Sequence, residues 1–347
     1  MKSLTTDYLN SLTFSASEAT TLRALGEYRG KQELFCKQSP ETLKSLLLLA
    51  KVESSESSNR LEGIELPHKK IEELVLHDTT PKNRSEQEIA GYRDVLNFIH
   101  ESAEHIPFTP NVILQLHSIL YQHMPIPGGK WKTTDNEIIE KFPDGTQRVR
   151  FSPVKAHLAP DMMKKLVQCY NAALDNHVQD SLVLIPLSIF DFLCIHPFRD
   201  GNGRMSRLLT LLLLYQANYK VGRYISLERV FEESKESYYE VLETSSQGWH
   251  EGKHNIKPWL NYFLGALLKA YHEFEERVGV VSTIRGSKTE LISTTIRRKI
   301  KPFSISEIES ECPGISRDMI RKILRQLRNQ GIVAPTSSGR GAMWRKM

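Results

Sequence analysis

The sequence predicts a mainly α protein, and three observations carry that expectation. Almost every long stretch repeats apolar residues at intervals of three and four, which lines one face of a helix. Helix boundary signals recur: Gly63, Thr109-Pro110, Ser316 and Gly331 fall where apolar patterns begin or end. Hairpin signals are few: Pro143-Asp144-Gly145 lies between short alternating runs, and a basic hairpin lies near the end of the chain.

In chain order, an N-terminal helical region runs over 1–105. Within it Leu43, Leu46, Leu47, Leu48, Ala50 and Val52 give the apolar pattern of a helix over about 41–63, with Gly63 as its stop. A central region, 106–280, opens on Thr109 as N-cap and Pro110 as first helical residue of a helix carrying Val112, Ile113, Leu116, Ile119 and Leu120. After Pro125–Gly129, the runs Trp131–Ile139 and Val149–Phe151 are the expected arms of one small β-hairpin. An apolar helix ends at Ile195, and a second apolar run covers Leu208–Tyr215. Ser237-Tyr238-Tyr239 opens a further helix, and another follows Pro258 with Trp259, Leu260, Phe263, Leu264, Leu267, Leu268 and Tyr271 on one side. In the third region, 285–347, Ser304 or Ser306 caps one helix and Ser316 caps the next. That second helix carries Met319, Ile320, Ile323, Leu324 and Leu327 on one side and Arg317, Arg321, Lys322, Arg325 and Arg328 on the other. Ile332-Val333 and Met343-Trp344 then flank a Ser-Gly-Arg-Gly turn.

The chain's 347 residues, 40% hydrophobic and 25% charged, are enough for two or three ordinary globular domains. No apolar run approaches the length of a membrane span, and residues 1–7 lack the apolar core of a signal peptide, so the expectation is a cytoplasmic protein without membrane contact. Cys36, Cys169, Cys194 and Cys312 have no paired spacing and read as reduced core thiols. The net charge of +5 is unevenly spread. From Arg285 onward there are 14 Lys+Arg against 5 Asp+Glu, so a basic tail follows a mildly acidic body and suits a different partner.

Residues 196–207, His-Pro-Phe-Arg-Asp-Gly-Asn-Gly-Arg-Met-Ser-Arg, hold the chemistry. Two glycines between buried helices leave backbone N–H groups unpaired at a helix N-terminus, which is an anion site. The loop adds a base (His196), a hard-metal ligand (Asp200), an amide able to fix loop geometry (Asn202) and two guanidinium forks (Arg204, Arg207). These groups suit transfer from a nucleotide.

The string matches HPFx[DE]GNGRxxR at every defined position, and on it the chain resembles the Fic (Fido) family. The resemblance implies a helical Fic core over 106–280 whose hairpin is the flap, with Asn136, Ile138 and Ile139 meeting a target segment. It implies a protein adenylyltransferase that moves AMP from ATP to a Ser, Thr or Tyr hydroxyl. His196 would be the base, and Asp200 would hold Mg²⁺. Gly201, Asn202 and Gly203 would cradle the phosphates, Arg204 would neutralise the β-phosphate and Arg207 would grip the γ-phosphate. Tyr238 and Tyr239 resemble the family's adenine wall, and two core aromatics remain the alternative.

Ser58-Asn59-Arg60-Leu61-Glu62-Gly63 matches [ST]xxxE[GN], the family's inhibitory helix. The spacing of four puts Ser58 and Glu62 on one face, and the resemblance implies that Glu62 pairs with Arg207 and takes the γ-phosphate's space. The tail resembles a winged helix, with the helix after Ser316 as recognition element and 334–345 as wing. DNA through 288–347 and protein contact both stay open for it. The implied partners are ATP, a target protein, the chain itself as a modified target, and a second copy as a homodimer. Other readings are removal of AMP, transfer of another phosphate-containing group, direct phosphorylation (disfavoured by Gly203), and a DNA-binding regulator with the Fic body as sensor.

Overall fold

The computed structural model describes residues 2–38, 40–141, 145–282, 292, 293, 295, 296, 299, 302–312, 315–336 and 343–346. Contacts divide the chain into two units, Met1–Gly30 with Leu48–Tyr271, and Lys31–Leu47 with His272–Met347.

The first unit is helical apart from one hairpin. Its order runs α1 (Thr6–Ser11), α2 (Ala16–Gln38), α3 (Pro40–Leu61), α4 (His68–Leu76), α5 (Arg84–Ser102) and α6 (Pro110–Leu120), then β1 (Ile138–Lys141) and β2 (Gln147–Phe151). It continues through α7 (Ala159–Asp175), α8 (Ser181–Ile195), α9 (Asn202–Gln216), α10 (Leu227–Glu233), α11 (Lys235–Ser246) and α12 (Lys257–Ser282). The chain of α2, α3 and α12 also enters the second unit.

Helices α8 and α9 are buried nearly all round, the mark of central helices. Pro186 sits inside α8, and its carbonyl accepts a hydrogen bond from the indole N–H of Trp259 at 2.8 Å. The expected caps act as such: Thr109 Oγ1 accepts the Val112 N–H at 3.2 Å, and Gly63 leaves α3 at φ 80°.

The hairpin is antiparallel, with Ile139 opposite Val149 and a register shift between Ile138 and Ile139. Residues 131–137 are not a strand, which corrects the longer first arm expected from sequence. The physical reason is that this segment bonds to the loop after α8 instead of to a strand partner. Lys132 N–H donates to Pro197 O at 2.8 Å, and Asn136 Nδ2 donates to Phe198 O at 3.1 Å. Of the expected turn, Pro143 and Asp144 lie outside the described residues; Gly145 has φ 84°.

In the second unit a three-stranded antiparallel sheet, in the order β3-β5-β4, is built from β3 (Phe303–Ser304), β4 (Val333–Pro335) and β5 (Met343–Lys346). It packs with α13 (Ile305–Glu311) and α14 (Arg317–Asn329) around Phe303, Ile308, Ile320, Ile323, Leu324, Leu327 and Val333. Ser304, not Ser306, caps α13, and Ser316 caps α14. The Ser-Gly-Arg-Gly turn of the expected wing lies outside the described residues.

Candidate active site

The turn between α8 and α9 gathers the motif. His196 ends α8 in the left-handed region at φ 51°. Its Nδ1 lies 3.2 Å from Leu193 O, so Nδ1 carries the proton and the Nε2 lone pair is left available. Burial pulls the imidazole down to about 4, against the Leu193 carbonyl, which favours the charged form. The ring is therefore a neutral base near pH 7.

Phe198 is fully buried and anchors the turn, its ring stacked on His117 at 3.7 Å and on Trp131 at 5.2 Å. Asn202 closes the turn on itself: Oδ1 accepts Phe198 N–H at 2.9 Å, and Nδ2 donates to Phe198 O at 2.8 Å. Gly201 caps α9 at φ 80° with no side chain, and a Cβ there would come to 3.0 Å from the Tyr121 ring. The first N–H groups of α9 consequently face the loop with the helix dipole behind them.

The two arginines differ. Arg204 is buried and already paired: Nη1 donates to Glu88 at 2.9 Å and Nη2 to the Tyr121 hydroxyl at 3.3 Å. Asp200 stands outside this pair, its carboxylate exposed and 3.8 Å from Arg204. Burial raises its pKa, but Arg204 and the Gly201 N–H outweigh that and hold it below the usual carboxylate value. Among the described residues no group of three His, Cys, Asp or Glu side chains could hold a metal. Asp200 alone could bind a hard cation only together with a ligand's own phosphate oxygens, the arrangement magnesium commonly adopts.

Arg207 is buried and hydrogen-bonded to α3 and the turn after it. Nε donates to Ser58 Oγ at 2.8 Å, and Nη2 donates to Ser58 O at 2.9 Å and to Glu62 Oε1 at 2.7 Å. Burial works against its charge, and the Glu62 carboxylate more than offsets it, leaving the guanidinium above its ordinary value. Glu62 also covers the turn, since a Cβ built on Gly203 would lie 2.1 Å from Glu62 Oε1. The carboxylate thus occupies space directly over the N-terminus of α9.

Further contacts hold α3 there. Ser54 Oγ donates to Glu228 Oε2 at 2.8 Å, Tyr92 donates to Glu228 Oε1 at 2.8 Å, Arg229 reaches Glu53 at 3.2 Å and Arg60 reaches Glu232 at 2.9 Å. Ser54, Ser55, Ser57, Ser58 and Asn59 are all buried.

The remaining sequence candidates fall around this centre. Tyr238 is buried among Phe231, Tyr239, Trp259 and Tyr262, while Tyr239 is half-buried and donates to Leu61 O at 3.1 Å. Ile138 and Ile139 are on β1, and Ile139 is exposed beside Val149. Asn136 precedes the strand, as an anchor on Phe198 O that also accepts from Lys132 Nζ at 2.7 Å.

Motif reading missed Glu88, Tyr121, Lys132 and His117. Glu88, Tyr121 and Lys132 come from other segments and carry no local signal. His117 had one, because it lies in the apolar stripe with Ile113, Leu116 and Leu120. Its Nδ1 accepts the Gly129 N–H at 2.8 Å, so Nε2 carries the proton and donates to Asp200 O at 3.1 Å. Burial pulls this ring down to about 4.

Residues 107–214 match the Fic/DOC family. The chain is 27% identical over 180 residues to the protein adenylyltransferase Fic of Drosophila grimshawi, covering 50% of this chain and 32% of that one. It is 23% identical over 185 residues to that of Nematostella vectensis, covering 50% and 36%. The matches span about a third of the length of these curated relatives. Among solved structures, a Fic family protein from Desulfovibrio desulfuricans is similar over 97% of both chains, with a TM-score of 0.62 at 19% identity. Fic-1 from C. elegans is similar over 76% of this chain and 74% of that one, with a TM-score of 0.59 at 17% identity. This chain carries a Fic/DOC-family domain over residues 107–214.

Proposed function

We propose that the chain is an autoinhibited protein adenylyltransferase. The acceptor oxygen attacks the α-phosphorus of ATP, the bond to the bridging oxygen breaks, pyrophosphate leaves, and the acceptor's proton passes to His196 Nε2. Asp200 would hold Mg²⁺, which when bound offsets phosphate charge. The N-terminus of α9 at Gly201, Asn202 and Gly203 receives the phosphates. Arg204 and Arg207 supply further positive charge, Arg207 only after giving up its pairing with Glu62. Asn202 acts through the loop, since its amide is committed to Phe198. Tyr239 forms the base-side wall with Tyr238 as its support, and Asn136, Ile138 and Ile139 belong to the flap that meets the target. In this reading 1–105 carries the restraint, 106–280 the catalytic core and 285–347 a winged-helix-like module.

The observation that carries the reading is the carboxylate of Glu62, 2.7 Å from Arg207 and in the space a Cβ of Gly203 would take. An acid over an anion site, bound to a cation of that site, restrains anion binding. The test is incubation with labelled ATP and Mg²⁺ followed by intact-mass measurement. A gain of one AMP supports the reading, and a gain of phosphate alone replaces it with phosphorylation. Release of AMP from an AMP-bearing protein points instead to hydrolysis, with Glu62 orienting water.

A second reading concerns the tail. On α14, Lys322, Arg325 and Arg328 are exposed and have no ion-pair partner among the described residues. A basic helix face beside a small antiparallel sheet suits duplex DNA. Operator binding without modification of any protein would favour a DNA-binding regulator.

A further inference from the structure

A cavity of about 660 Å³ is lined by Asp200 and Arg199 together with residues of the segment 124–133. Its charged groups are Arg84, Lys130, Lys132, Arg199 and Asp200, four cations against one carboxylate. Lys130 and Arg199 are exposed and have no hydrogen-bond or ion-pair partner among the described residues. The lining also carries apolar side chains, with Trp131 held against Phe198 and Ile126 left 76% exposed. Two cations without partners among the described residues, in one cavity with exposed apolar side chains, suit a ligand that is both acidic and apolar, and a bare anion would leave the apolar lining unused.

The cavity is tied to the reacting centre. Lys132, which lines it, donates its N–H to Pro197 O, next to His196, and its Nζ to Ile195 O at 3.3 Å. From Thr133 the chain reaches Ile138, the first residue of β1, within five residues, at most about 17 Å of extended backbone. A polypeptide lying along β1 with its hydroxyl at His196 therefore has the cavity within a few residues' reach.

Resting on the transferase reading, we infer that this cavity docks an acidic, apolar-flanked segment of the target polypeptide. Charge supplies the preference for acid, and Ile126 with Trp131 supplies the apolar contact.

The test uses the full chain and two fluorescein-labelled serine peptides of equal apolar content, one with Asp and Glu beside a Leu, the other with Lys at those positions. Binding is read by anisotropy, without transfer. The wild type should bind the acidic peptide at least ten-fold tighter. Lys130→Glu with Arg199→Glu should erase that preference, and Ile126→Ser should weaken the acidic peptide about five-fold. ATP affinity should be unchanged in both variants, which checks their folding. Equal affinity for the two peptides, or acidic-peptide binding that survives charge reversal, overturns the proposal. So does an Ile126→Ser variant with unchanged binding, since only a charge site would then remain. Docking without AMP transfer would remove the transferase reading and leave the site, and transfer without a charge preference would do the reverse.

Discussion

Replacing Glu62 by glycine should release the activity, and the structure sets its scale. In the structure Arg207 gives one charge-assisted hydrogen bond to Glu62 and two bonds to Ser58. Only the Glu62 bond is lost in the mutant, so Arg207 stays positioned by Ser58. A hydrogen bond between charged groups contributes about 1.5–3 kcal/mol net, and the Glu62 side chain is 33% exposed, which favours the lower half of that range. At about 1.4 kcal/mol per factor of ten, the release should be about ten-fold, rising toward a hundred-fold if phosphate repulsion by the carboxylate adds to it. The assay is the rate of AMP gain on the chain itself or on a target, by intact mass at saturating ATP and Mg²⁺. Glu62→Gln should be intermediate, because the amide fills the space over Gly203 without the charge. Glu62→Gly combined with His196→Ala should lose the released activity. Equal rates for wild type and Glu62→Gly would refute the reasoning and leave α3 as a packing element.

Other outcomes follow from the same geometry. His196→Ala in the Glu62→Gly background should cut transfer by about 10²–10⁴ while leaving ATP affinity, read by calorimetry, nearly unchanged. Because burial holds His196 near 4, the transfer rate of Glu62→Gly should stay level as pH falls from 8 to about 6 and drop only toward 4, where a base with an ordinary histidine pKa would already fade at 6.5. Stability should show the matching sign. His100, His117, His196 and His254 are all depressed, so the unfolded chain binds more protons below about 6.5, and denaturation midpoints should fall from there toward pH 4. Asp191, pushed up to about 6 by burial, opposes this, so Asp191→Asn should steepen the acid loss. His117→Phe keeps the stacked ring but leaves Gly129 N–H and Asp200 O without their partner. It should lower stability by about 1–3 kcal/mol in urea titration, and an unchanged midpoint would mean those bonds are incidental. For the tail, duplex affinity should fall steeply with salt and vanish on charge reversal at Arg321 and Arg325.

The sequence by itself determined the helical character, most caps and the turn that gathers the motif residues. These are local properties: apolar periodicity sets a helix face, Thr109 and Ser316 cap the residues just after them, and the motif's groups lie within twelve positions of one turn. The Ser58–Glu62 spacing of one helical turn was legible in the same way. What only the tertiary structure decided is what those groups touch. Ser54, Ser55, Ser57 and Ser58 have the composition of a solvated helix end, yet they are buried because small side chains let α3 lie close to α9 and α10, where Ser54 and Ser58 answer Glu228 and Arg207. Arg204 carries the same charge as Arg207 in sequence, but Glu88, 116 positions away, takes its guanidinium. Residues 131–137 run directly into the strand residues Ile138 and Ile139 in sequence and are spent instead on the carbonyls of Pro197 and Phe198. In each case the partner comes from a distant segment, and no pattern within a window of sequence records which buried donor will meet which acceptor.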